Sequence, residues 1–140
     1  MDKPKQMVVM RRDLKMRKGK IAAQAGHACV TAVLAALEKE RRMGQVRAEV
    51  GGILLTPGGG AATPLSEWFA RGVAKVCVYV DSEEDLLAID RKAKAAGLLS
   101  ALICDNGLTE FHGQPTYTCL ALEPALPEQV DPITGDLPLF

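Results

Sequence analysis

Lys20, Gln24, His27 and Thr31 are the first side chains in this sequence whose types and spacing could do chemistry. At ~100° per residue they share one narrow stripe of a helix, while Ile21, Ala22, Ala25, Cys29, Ala32, Val33 and Leu37 cover most of the remaining circumference. A helix apolar nearly all round is expected to be buried. Burying Gln24 and His27 without partners is costly, so the stripe should face a cleft or fixed hydrogen-bond partners. Just ahead of it, Lys15, Arg17 and Lys18 precede the helix start, where ammonium groups and free backbone amides together can hold a phosphate. The second group is Asp105, in an Asp105-Asn106-Gly107 turn followed by Thr109, which puts a carboxylate and a hydroxyl on one loop. Such a carboxylate can orient or deprotonate a water, or fix the tautomer of a neighbouring imidazole; it can equally do no more than cap its turn. Similarly, His27 on its own can be an ordinary helix histidine satisfied by hydrogen bonds.

Other chemistries find no support. The chain has no G-x-S-x-G elbow, no zinc-ligand spacing and no dinucleotide-binding fingerprint. Gly58-Gly59-Gly60 lacks the Gly-Lys-Ser/Thr ending that gives a phosphate loop its meaning. Cys29, Cys77, Cys104 and Cys119 show no C-x-x-C spacing, and buried free thiols are expected, with Cys104 beside Asp105 among them. That argues against a cysteine nucleophile and for a reducing cytoplasm.

The elements that must position these residues follow from the hydrophobic pattern. Met7 to Met10 reads as a short buried strand, followed by a basic turn and a helix from about Lys18 or Lys20 to Met43, ended by Gly44. Residues 44 to 64 form a long glycine-rich connection or hairpin, and Leu65 to Arg71 a short helix carrying Trp68. Val76 to Val80 is a second strand, Asp81 or Ser82 caps a helix running to about Ala96, and Gly97 stops it. Leu98 to Cys104 and Tyr117 to Leu122 complete the strands. Strands alternating with helices predict an α/β chain, with a mostly parallel sheet covered on both faces, and the short link before the last strand makes that final pair antiparallel. Ligand sites of such sheets lie beyond the carboxyl ends of the strands.

With 140 residues, 48% of them hydrophobic and 24% charged, the chain suits one domain with its own core. The formal net charge of zero conceals a dipole: residues 1 to 20 hold eight Lys or Arg against two Asp, and residues 81 to 140 hold eleven acids against three bases. The basic front suits an anionic ligand. No uninterrupted apolar run approaches the ~18 residues of a membrane span, and the N-terminal stretch has no leader-like apolar core.

Lys15-Met16-Arg17-Lys18-Gly19-Lys20-Ile21-Ala22-Ala23-Gln24-Ala25-Gly26-His27-Ala28, together with Asp105-Asn106-Gly107-Leu108-Thr109 and Val130 to Leu137, resembles the type II peptidyl-tRNA hydrolases. The resemblance covers nearly the whole chain except residues 44 to 64. It implies a single three-layer α/β/α domain with a four-stranded mixed sheet, usually a homodimer, that hydrolyses the ester between a peptide and the terminal ribose of tRNA. No metal or other cofactor is implied. Carried over by the resemblance, Lys20, His27, Asp105 and Thr109 would be catalytic, with Asp105 and Thr109 positioning water and His27 and Lys20 stabilising charge on the ester oxygens. Gln24 would contact substrate, and Lys15, Arg17 and Lys18 would hold tRNA phosphates. The chain departs from the family pattern at Asn106, where alanine is usual, and in a longer connection at 44 to 64. Two other functions fit the same residues: a non-catalytic binding module, and an esterase or amidase acting on a smaller conjugate.

Overall fold

The computed structural model describes residues 1–56, 60–108 and 110–140. Strand β1 (Gln6–Arg11) leads through the basic turn into helix α1 (Lys18–Lys39), followed by a 3-10 turn at Met43–Gln45. The connection expected over 44 to 64 contains a hairpin, β2 (Val46–Glu49) antiparallel to β3 (Gly52–Leu55); the glycine run begins outside the described residues. Helix α2 (Pro64–Ala70) opens with a reciprocal cap, Ser66 N–H donating to Thr63 Oγ1 and Thr63 N–H to Ser66 Oγ. After β4 (Lys75–Val80), Ser82 caps helix α3 (Glu83–Ala95) by accepting from Asp85 N–H, and Glu83, Glu84 and Asp85 suit its dipole. Gly97, at φ +80°, takes the chain out of α3 and into β5 (Ser100–Asp105). Strand β6 (Thr116–Leu122) and helix α4 (Pro127–Thr134) complete the order.

The sheet order is β4-β1-β6-β5. β1 and β4 pair in parallel, while β6 runs antiparallel to both β1 and β5. Strands β4, β1 and β5 therefore share one direction, as helical crossovers require, but only β1 and β4 are parallel neighbours. The expectation of a mostly parallel sheet is corrected on that point: β6 returns between β1 and β5, separating two strands that would otherwise pair. The mixed sheet and the antiparallel last pair agree with expectation.

Alternating residues of each strand serve opposite faces. Val8, Met10, Ile103, Cys119 and Ala121 pack with Ala28 and Ala32 of α1 on one side. Met7, Val9, Leu120 and Leu122 pack with Leu86, Ile89 and Ala93 of α3 and Val130 of α4 on the other. A third cluster joins Ala36 and Leu37 of α1 to Leu65, Trp68 and Phe69 of α2.

Three further expectations change. α1 is not buried all round: one side, Gln24, Ala28, Cys29, Ala32, Ala36 and Leu37, is covered, while Val30 and Leu34 are 59% and 45% exposed. By length and mean hydropathy alone α1 could cross a membrane, yet its alanine side lies against the sheet. Cys104 is exposed and Cys77 half-buried; only Cys29 and Cys119 are buried. Edge position and outward alternation put the Cys104 side chain in solvent. Finally, α4 forms in a stretch given no helix above, because Pro127 at the first helical position and Val130 against the core favour it.

Candidate active site

Because β1 and β5 point the same way, the first turn of α1 and the end of β5 meet at one rim of the sheet. There Lys20 Nζ lies 2.9 Å from Asp105 Oδ1, with the two side chains only 14% and 11% exposed. Gln24, one helical turn further on, directs Nε2 at the same oxygen from 3.4 Å. The other carboxylate oxygen accepts from Gly107 N–H at 2.9 Å. Gly107 holds φ +83°, and a β-carbon at that position would collide with the Gln114 backbone, so the tight turn that delivers this amide admits no side chain there. The hydrogen bond from Lys20 is the main cause that holds the Asp105 carboxyl below its ordinary value of 3.8; burial opposes it, and the Gly107 and Gln24 donors add to the lowering. Asp105 is therefore a carboxylate at neutral pH. Phe111 sets its ring 5.8 Å from Lys20 Nζ, closing one side of the pair.

A residue absent from the expected set completes the arrangement. Thr118, fully buried, donates from Oγ1 to Gln24 Oε1 at 2.6 Å. That bond fixes the amide so that its nitrogen faces Asp105. Thr118 and Cys119 both point at α1, the thiol donating to Gln24 O at 3.4 Å, which strict strand alternation forbids for consecutive residues. A register shift resolves this: Ile103 lies opposite Cys119 but Cys104 opposite Tyr117, leaving Thr118 as the extra residue of a β-bulge. Bulges commonly re-aim a side chain in this way. A lone threonine leading the apolar Cys119-Leu120-Ala121-Leu122 run was the only sequence signal for it. Burial also pushes the Cys119 thiol up to about 12, so it is no nucleophile.

Of the expected residues, the structure brings Lys20, Gln24 and Asp105 together. His27 is exposed on the same stripe of α1, ~10 Å along the axis from Lys20 at 1.5 Å per residue, and among the described residues its side chain makes no hydrogen bond or ion pair. Lys15 and Lys18 are exposed, Lys15 at a positive φ of 53° in the basic turn. Arg17 is 91% exposed, with only a loose 3.7 Å contact to Glu110. Thr109 lies outside the described residues. An apolar cavity of about 230 Å³ opens elsewhere, between α1, the hairpin and α2, lined by residues such as Val33, Leu37 and Trp68; it offers no carboxylate or imidazole. Among the described residues no cluster of His, Cys, Asp and Glu could hold a metal ion.

Comparison with known proteins gives the arrangement its context. The family described as Peptidyl-tRNA hydrolase PTH2 matches residues 4–140. The chain belongs to that family. Among peptidyl-tRNA hydrolases it is 38% identical to the one from Methanopyrus kandleri over 97% of both chains. It is 37% identical to that of Methanocaldococcus jannaschii, over 97% of this chain and 99% of the other. A solved structure of a protein of unknown function from Agrobacterium aligns over 100% of this chain and 99% of that one, with a TM-score of 0.57 at 16% identity, and shares the fold alone. Asn106, next to the carboxylate of this peptidyl-tRNA hydrolase family member, has a local role: its Oδ1 accepts from Leu108 N–H at 3.1 Å, bracing the turn after Asp105.

Proposed function

We propose that the protein hydrolyses the ester joining a peptide, or an N-blocked amino acid, to the 3′-terminal ribose of tRNA, the whole chain acting as one domain. The observation that carries the reading is the Lys20–Asp105–Gln24 constellation, in a member of the peptidyl-tRNA hydrolase family. Water attacks the ester carbonyl carbon, the bond to the ribose oxygen breaks, the peptide leaves as a carboxylate, one proton from water ends on the ribose oxygen and the other is released to solvent. A carboxyl with its pKa lowered is a weak base, so Asp105, helped by Thr109, acts mainly by orienting the water. Lys20, beside Asp105, and His27, two turns further along α1, stabilise the charge that develops on the ester oxygens; a placed donor of this kind is worth on the order of 100-fold or more in rate. Gln24, held by Thr118, supports Asp105 beside the substrate end. The exposed Lys15, Arg17 and Lys18 hold tRNA phosphates, a largely sequence-independent contact that weakens with salt.

The test is cleavage of N-acetyl-aminoacyl-tRNA by the purified protein beside Asp105→Asn. Cleavage abolished by the substitution with tRNA binding retained is expected; unchanged turnover, or binding with no cleavage by either protein, overturns the reading. A cytoplasmic homodimer is the assembly this reading carries, supported by the exposed Val30, Leu34 and Ile53, which share one apolar face of α1 and the hairpin. A single-chain mass in sedimentation equilibrium would refute it.

A further inference from the structure

One edge of the sheet is closed and the other is bare. Along β4, Tyr79 N–H donates to Pro138 O at 3.1 Å, Phe140 N–H donates to Cys77 O at 3.0 Å, and Leu139 bridges Val78. Along β5, among the described residues, no backbone bond reaches the outer side. The alternation of the antiparallel pair shows which groups are left over. Glu123 N–H donates to Leu99 O at 3.0 Å, so Leu99, Ala101 and Ile103 turn their backbone groups toward β6. The N–H and C=O of Ser100 and Leu102 therefore point outward. Folded chains protect such edges with Lys, Pro or a covering segment; Ser100-Ala101-Leu102-Ile103-Cys104 has none of these. The bare strand is also the one that ends at Asp105.

We infer that the peptide half of the substrate binds as an added strand along β5. This rests on the ester-hydrolase reading above. The peptide runs parallel to β5, its esterified carboxyl end at Asp105 and its main chain paired with Leu102 and then Ser100. A peptide borne by tRNA can have any side chains, so its constant features are its amides and the ester, and strand addition recognises amides. At ~3.3 Å per residue, Leu102 lies about 10 Å before Asp105, which reaches peptide residues two to four from the ester.

The experiment uses the full-length wild-type protein and tRNAs carrying N-acetyl-(Ala) chains of one to five residues, some with a single N-methylated amide. The expected kcat/KM rises about fivefold for each backbone bond gained, as a net bond in water allows, and levels off once Ser100 is reached. N-methylation should remove the gain at alternate amides only. Leu102→Pro, which removes an outward N–H and leaves the ladder to β6 intact, should flatten the length dependence while N-acetyl-alanyl-tRNA is still cleaved. Length-independent kcat/KM, or equal loss at every N-methylated position, overturns the inference even if the Leu102→Pro protein fails to fold. So does a dimer that dissociates on Leu102→Pro without any length dependence, since the edge would then belong to a second copy. Failure of wild type to cleave any of these tRNAs instead removes the hydrolase reading beneath it.

Discussion

Replacing Thr118 with valine keeps the shape of the side chain and deletes one hydroxyl. Gln24 Oε1 then loses its 2.6 Å donor in a place where Gln24 is only 7% exposed. An acceptor stranded in that way costs about 1–3 kcal/mol, and no cavity term is added because the volumes match. If the amide turns over to relieve this, its oxygen faces the Asp105 carboxylate and its nitrogen is lost to that carboxylate. Either outcome weakens the Gln24 support of Asp105, so the Asp105 carboxyl moves up toward 3.8 from the lowered value it holds in the wild type. The sign of the pH effect follows. A depressed carboxyl contributes stability, and here activity, that is present above its unfolded value and lost as pH falls through the folded one; raising the folded value shifts that acid limb upward. With about half the cost felt in the transition state, kcat should fall about two- to tenfold with tRNA KM unchanged, and unfolding free energy should fall by about 1–3 kcal/mol. Thr118→Ser, which keeps the donor, should recover most of the rate. Single-turnover hydrolysis from acid to neutral pH, beside urea melts, reads all three. A folded Thr118→Val protein with wild-type kcat and an unmoved acid limb would refute the idea that the bulged threonine sets the Gln24 amide.

Two other variants, one single and one double, test the turn and the phosphate contacts. Gly107→Ala forces a β-carbon into the Gln114 backbone at φ +83°, so the 105–114 turn must open and withdraw the Gly107 amide from Asp105; a loss of at least tenfold in kcat is expected with the melting temperature lowered, and wild-type kinetics would show the turn to be slack. Lys15→Ala with Lys18→Ala should weaken tRNA binding about equally for all tRNA sequences and lower the slope of log K against log salt by about 1–2; an unchanged slope would move the phosphate contacts elsewhere on the surface.

Much of this site is legible in the amino-acid sequence. Lys20 and Gln24 share a stripe at helical spacing, Asp105 ends a strand, and strands joined by helical crossovers bring those ends to one rim; each step is local or follows from handed, parallel topology. Ser82 and Gly97 likewise mark the limits of α3 through their own capping chemistry. What stayed hidden was non-local. Nothing in the Thr116–Leu122 pattern says that it slots between β1 and β5, and a bulge is visible only once two registers are compared. The exposure of Cys104 depends on β5 being an edge, and the half-open state of α1 on how little the hairpin and α2 cover. α4 carries two prolines, Pro127 and Pro132, of which only the first sits where a helix tolerates it, so its local pattern is a weak helix signal.

The contacts that define the site join distant parts of the chain: Lys20 to Asp105 across 85 positions, and Gln24 to Thr118 across 94. β1, the earliest strand, has to wait for β6, almost the latest, before its second side is paired. Folding dominated by such long loops is slow, and no stretch of chain that stops short of β6 can contain a working site. Catalysis is thus a gauge of the completed fold. A nascent or clipped chain of this protein is inert until the last strand locks in, and loss of activity and loss of the native sheet should be one event rather than two.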